Sequence, residues 1–239
     1  MVLYGKVALI TGASRGIGKA IAKSFSAQGA QIAIGARTSI GYENVLSDLP
    51  YDVRGAKGFL LDVTKSDQVK DAVEEVITRF GRIDILVNCA GISINDTPTW
   101  QTTIQEWDKM MSVNLRGTFL CCSEVSKHMV ERQSGVIINI GSSSGRGADD
   151  TFGPYTATKW GIIGYTTSLA KSLRPYGIRV NGINPGWVDT DMTRAIKPEG
   201  DPEWSTPEEI ADVAVFLAAK APRDMTGQFI DVFGSTSGP

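Results

Sequence analysis

Histidine is nearly missing from this chain: 239 residues hold one, His128. That scarcity excludes a multi-histidine metal site, and a Ser-His-Asp hydrolase would have to run on that one imidazole. His128 falls in a polar helix end and is expected at the surface. Cysteine is scarce too, at three residues, Cys89, Cys121 and Cys122. No CxxC pair occurs and the count is odd, so reduced thiols are expected rather than a disulfide framework. The adjacent Cys121 and Cys122 point in different directions from a helix. Neither sign of charge is in large excess: 24 basic against 26 acidic residues leave −2. With a pI of 5.5, the chain has no electrostatic footprint for nucleic acid or an anionic membrane. No apolar run reaches membrane-spanning length. Residues 1–5 lead directly into the strand-length run 7–10, without a cleavage site, so no targeting segment is expected. The expectation is a soluble, cytoplasmic, metal-free protein.

What is present is an ordinary globular composition, 42% hydrophobic and 21% charged. Short apolar runs over 7–10, 32–34, 58–61, 85–87, 136–140, 178–183 and 229–233 predict seven strands. Helical periodicity covers 16–28, with Gly29 closing it, and then 66–80 with Ser66 as N-cap, 104–132 and 155–173. A last helix opens at Thr206, with Pro207 at its first position. Continuous apolar strands alternating with helices imply an α/β, doubly wound, mostly parallel seven-stranded sheet covered on both faces. One domain spanning 1–239 is expected. The polar stretch 196–205 is the candidate mobile part of a short substrate lid at about 190–206, and 234–239 a loose tail.

Between the first strand and first helix lies Thr11-Gly12-Ala13-Ser14-Arg15-Gly16-Ile17-Gly18. Here the chain turns sharply and a dinucleotide pyrophosphate must approach the backbone, so Gly12, Gly16 and Gly18 remove the Cβ atoms that would block both. The helix start supplies free N–H groups and partial positive charge.

The TGxxxGxG spacing resembles the short-chain dehydrogenase/reductase family, and further motifs extend the resemblance in family order over almost the whole chain. Asn88-Cys89-Ala90-Gly91 is similar to the family's NNAG, with Cys in place of the second Asn. Asp62-Val63 resembles its adenine-contacting pair. Tyr155-Thr156-Ala157-Thr158-Lys159 is its YxxxK, with Ser142 at the usual spacing before it. Pro185, Gly186, Val188 and Thr190 resemble the segment flanking the nicotinamide. The resemblance implies a Rossmann-type fold and a cofactor site made of Gly12, Ser14, Arg15, Gly16, Ile17, Gly18, Arg37, Asp62, Val63, Asn88, Ala90, Gly91, Tyr155, Lys159, Pro185, Gly186, Val188 and Thr190. In family register the second strand ends at Ala36, so the carboxylate that would select NAD(H) is missing. Arg37 follows it and Arg15 lies in the glycine turn, two guanidiniums suited to a 2′-phosphate. NADP(H) is expected ahead of NAD(H).

Tyr155 and Lys159 are four residues apart and share a helix face. A free phenol, with pKa about 10, holds its proton too tightly for general acid–base work near neutrality. A lysine cation about 4 Å from a phenolate is worth on the order of 4 kcal/mol at an effective dielectric near 20, enough to favour the charged form. The resemblance makes Ser142, Tyr155, Lys159 and Asn114 the catalytic set. Ser142 orients the substrate oxygen, Tyr155 exchanges its proton, Lys159 also binds the nicotinamide ribose, and Asn114 supports a water-linked proton path.

Substrate is less legible. Ser93, Arg146, Asp149, Asp150, Phe152, Trp187 and Met192 adjoin these motifs as candidate pocket residues, Arg146, Asp149 and Asp150 being slightly favoured as a solvated loop. The nearest subgroup by resemblance is 3-oxoacyl-acyl-carrier-protein reductase, whose members hold the acidic carrier with basic residues. At those positions this chain has Gln133 and Tyr176, with Arg132 and Arg174 nearby, so a carrier partner is not favoured. A catalytically silent nucleotide-binding sensor or scaffold is the alternative of another class. The resemblance implies a homotetramer, or a dimer, although Asp231-Val232-Phe233-Gly234-Ser235 departs from the family's DGG-like ending.

Overall fold

A computed structural model describes residues 1–49, 55–93, 98–148 and 150–234. Seven strands, β1 (Val7–Thr11), β2 (Gln31–Ala36), β3 (Lys57–Leu60), β4 (Ile85–Asn88), β5 (Gly135–Ile140), β6 (Ile178–Pro185) and β7 (Phe229–Val232), form one sheet in the order β3-β2-β1-β4-β5-β6-β7. Every pairing is parallel. The order reverses between β1 and β4, and the crevice at such a switch point is where doubly wound sheets bind ligands.

Alternation along β1 builds the two layers. Ala8 and Ile10 pack on one face with Ile21 and Phe25 of α1 (Gly16–Ala27) and Ile210 and Ala214 of α8 (Pro207–Val215). Val7 and Leu9 pack on the other with Val73 of α3 (Ser66–Phe80), Cys121 and Cys122 of α5 (Gly117–Glu131), and Ala170 of α6 (Gly153–Leu173). Adjacent cysteines are both buried because a wide apolar stripe, not a narrow seam, faces this sheet.

The strands and the helices α1, α3 and α6 fall where expected, within two residues at each end, and α8 opens at Pro207 behind its Thr206 cap. Four local differences have physical causes. Helix α2 (Ser39–Ser47) was not anticipated; only Val45 on it is buried, so it carries no apolar periodicity, and Thr38 caps it by accepting the Gly41 N–H. Ser66 is the first residue of α3 rather than its cap; Lys65 takes that place without a side-chain bond. The helix expected over 104–132 is α4 (Ile104–Met110), a π-helical segment (Met111–Arg116) and α5 in succession. The stretch 196–205 is packed down: Trp204 is buried and stacks on Trp187 with ring centroids 5.4 Å apart, and Ser205 pairs with Val188. No helix among the described residues is long and apolar enough to cross a membrane.

Candidate active site

At the C-terminal ends of the strands, on both sides of the β1–β4 switch, lies a cavity of about 420 Å³. Its floor is the glycine turn. Gly12 has φ +65° and a Cβ there would sit 2.6 Å from Ala90 Cα; a Cβ on Gly18 would sit 2.6 Å from Gly12 O. Both contacts are with backbone, so neither position accepts a side chain. Thr11 Oγ1 accepts the N–H groups of Cys89 and Ala90, each at 3.2 Å, which draws the β4 loop against the turn. No side chain caps α1 and its first turn holds no acid. Its orphan N–H groups are therefore left for an anion, which fits a dinucleotide pyrophosphate.

On the β2 side the wall is Ala36, Arg37, Leu61, Asp62 and Val63. The Asp62 carboxylate is turned onto its own loop, accepting from Thr64 N at 2.9 Å and Thr64 Oγ1 at 2.8 Å. Burial pushes this carboxyl up, but those bonds and the charges of Arg37 and Lys65 outweigh it and hold it below the usual range. Arg37 is exposed at the rim. Arg15, on the same rim, reaches across to α7 (Asp191–Arg194) and pairs with Asp191 at 3.2 Å, both side chains being largely exposed. An exposed pair of this kind is weak, so Arg15 is available to a phosphate.

On the β5 side stand Ser142, Tyr155 and Lys159. Lys159 is buried, donates from Nζ to Ile140 O at 3.0 Å, and lies 5.2 Å from the centroid of the Tyr155 ring. The helical i, i+4 spacing thus places both on the cavity wall. Cys89 lines it too; burial pushes its thiol up to about 11, against the opposing charge of Lys159.

The turn carrying Ser142 hangs from β6. Gly141 N donates to Ile183 O at 2.7 Å, and Ser142 N donates to Asn184 Oδ1 at 3.3 Å. Asn184 is fully buried and its Nδ2 donates to Asp231 Oδ1 at 2.8 Å, an atom that also receives Arg146 Nε at 3.3 Å. Nothing in the local sequence ties residues 146, 184 and 231 together, so this network was not anticipated. Arg146, a candidate pocket residue, does not line the pocket.

Two members of the expected set lie off the cavity wall. The Asn88 side chain turns into the sheet, donating to Asn139 Oδ1 at 2.8 Å and to Cys122 Sγ, because the alternation of β4 points it away from the glycine turn. Asn114 is buried in the π segment; its amide donates to Ile92 O and accepts from Ile92 N, both at 2.9 Å, and contacts Thr158 Oγ1 at 3.2 Å. It braces the loop after β4 and makes no direct bond to Lys159. The remaining expected residues, Gly12, Ser14, Arg15, Gly16, Ile17, Gly18, Arg37, Asp62, Val63, Ala90, Gly91, Pro185, Gly186, Val188 and Thr190, line the cavity with Ser142, Tyr155 and Lys159.

A smaller pocket of about 150 Å³ adjoins Ser142 and Tyr155, and of the candidate pocket residues Ser93, Phe152, Trp187 and Met192 line it. Asp150 does not; its carbonyl accepts from Thr99 N and Oγ1. Asp149 lies outside the described residues. Ser143, Ser144, Thr193 and Ile196 also line this pocket and were not singled out from sequence.

Residues 6–201 match the family model for short chain dehydrogenase. The chain belongs to this family. It is 38% identical to the D-threitol dehydrogenase of Mycolicibacterium smegmatis over 97% of this chain and 93% of the relative. It is equally 38% identical to the 3-oxoacyl-acyl-carrier-protein reductase of Thermotoga maritima, over 98% of both. Among solved structures, that of ElxO with NADP bound superposes with a TM-score of 0.89 at 29% identity, covering 96% of this chain and 97% of that chain. The chain is accordingly an oxidoreductase of the short-chain dehydrogenase type, with a nicotinamide cofactor.

Proposed function

We propose that this chain is an NADP(H)-dependent oxidoreductase interconverting a ketone or aldehyde with an alcohol, with Tyr155 as general acid/base. The observation that carries it is that Ser142, Tyr155, Lys159 and the uncapped glycine turn line one cavity. When bound there, the nicotinamide supplies or accepts a hydride. Ser142 and Tyr155 hold the substrate oxygen; Tyr155 gives it a proton in reduction and takes one in oxidation. Lys159, fixed by Ile140 O, stands 5.2 Å from the centroid of the phenol ring, on the same cavity wall. Asn114 holds the loop at Ile92 that forms the adjacent wall. Arg37 and Arg15 on the rim, with Ala36 in place of an acid, support NADP(H) over NAD(H). The NADP held by ElxO, a similar fold, adds to that support. One domain over residues 1–239, in a cytoplasmic setting where its free cysteines stay reduced, completes the reading.

The relatives' names make 3-oxoacyl-acyl-carrier-protein reduction the second reading. Against it, the two carrier-contacting positions hold Gln133 and Tyr176, and Arg132 is committed to Asp84 and Ile83 O; Arg174 has only an exposed, weak pairing with Asp224. A silent nucleotide sensor is the third.

Oxidation of NADPH and of NADH across a carbonyl panel, with Tyr155→Phe alongside, tests all three. The expected result is turnover with NADPH ahead of NADH and a loss of at least about 100-fold in the variant. Turnover that survives Tyr155→Phe would falsify the acid/base assignment. Tight NADPH binding with no turnover would shift the reading to a sensor, and preference for a carrier-bound 3-oxoacyl thioester to the second.

A further inference from the structure

The smaller pocket carries information on substrate that the family assignment does not. It is small, about 150 Å³, where pockets for drug-sized ligands begin near 300 Å³. It is uncharged: no acidic or basic side chain lines it among the described residues. Such a wall offers no counter-charge to a carboxylate or phosphate, and an unpaired buried anion is costly. It is also rich in hydroxyls on one side. Ser143 and Ser144 follow Ser142 in a 3-10 turn and line the pocket half-buried. The Ser142 Oγ accepts the Ser144 N–H at 3.1 Å, whereas the hydroxyls of Ser143 and Ser144 bond to nothing else among the described residues. Phe152, Trp187, Met192 and Ile196 form an apolar wall for a short carbon chain. Hydroxyls that a substrate leaves unpaired count against that substrate, so a site of this kind discriminates by what it can satisfy.

We infer that the substrate is a compact, uncharged hydroxycarbonyl, or the corresponding diol in the oxidative direction. Its second oxygen bonds to Ser143 and Ser144 while its reacting oxygen meets Ser142 and Tyr155. Ser143 and Ser144 are then the specificity-determining pair. This inference rests on the oxidoreductase reading above.

The test compares matched ketones on the full chain with NADPH: 1-hydroxy-2-butanone, 2-butanone and the N-acetylcysteamine thioester of acetoacetate. The hydroxyketone is expected to lead by at least about tenfold in kcat/KM. In the double variant Ser143→Ala/Ser144→Ala, the ratio of hydroxyketone to 2-butanone is expected to fall towards one, with NADPH affinity by fluorescence as the folding control. Equal or better turnover of 2-butanone or the thioester by the unmodified chain overturns the inference, without any variant being needed. So does a hydroxyketone preference that persists in the double variant. These outcomes leave the oxidoreductase reading standing. That reading fails separately, if no carbonyl turns over with either nicotinamide or if Tyr155→Phe keeps its activity.

Discussion

Asp231 lies on β7, far along the chain from Ser142, yet its carboxylate governs how the Ser142 turn is held. Its Oδ1 is the acceptor for the fully buried Asn184 amide, whose own oxygen takes the Ser142 N–H. Removing that acceptor leaves a buried donor unpaired, at a cost of about 1–3 kcal/mol, and frees Asn184 to rotate. Asp231→Ala is expected to lower kcat about tenfold, the equivalent of ~1.4 kcal/mol in the barrier, with NADPH affinity unchanged. Asp231→Asn, which keeps an oxygen at the same place, should recover most of the loss. Equal defects in both variants, or a fall confined to NADPH affinity, would contradict this positioning role. The glycine turn and the Tyr155–Lys159 pair were legible in sequence because each is a local spacing. The Asn184–Asp231–Arg146 network was not, because it joins three elements that only the sheet brings together.

At the scale of elements, β1 and β4 are tied at their N-terminal ends by Asp84. It is buried, accepts the Val7 N–H at 2.9 Å and pairs with Arg82 and Arg132. Burial pushes its carboxyl up, but the Arg82 and Val7 bonds outweigh this and hold it below the usual range. A carboxyl lowered on folding stabilises fully above its unfolded pKa, near 3.9, and loses that contribution as pH falls through the folded value. The Val7 bond to a charged acceptor is worth roughly 1.5–3 kcal/mol, and the part-exposed arginines add less. In urea melts between pH 7 and 3, Asp84→Asn is expected to be less stable at pH 7 and to show a flatter decline below pH 4. Parallel curves would remove Asp84 from the acid response. Elements of other kinds were harder to foresee. The period over 104–132 is helical throughout, yet the π segment places Asn114 against Ile92, a packing requirement that side-chain periodicity does not encode. Residues 196–205 are polar enough to suggest a loose lid, but one aromatic, Trp204, secures them on Trp187.

Over the whole molecule, several large apolar side chains remain exposed on helices that contact one another: Trp100, Ile104 and Trp107 at and around α4, Phe119 on α5, and Trp160 on α6. Apolar groups concentrated on neighbouring helices mark a surface to be covered, which supports the expected homotetramer or dimer. Light scattering coupled to size exclusion is expected to give a multiple of 25.7 kDa; a monomer across micromolar concentrations would refute it. The α/β class, the sheet count, the glycine turn and the paired tyrosine and lysine were determined by sequence alone, since apolar period and motif spacing act over a few residues. The directions of Asn88 and Asn114, the pairing of Arg146 with Asp231, and the placement of Ser143 and Ser144 on the small pocket were decided only by tertiary structure. A side chain's partner there is set by strands and helices that are distant in the chain, and no local pattern records which of them will adjoin.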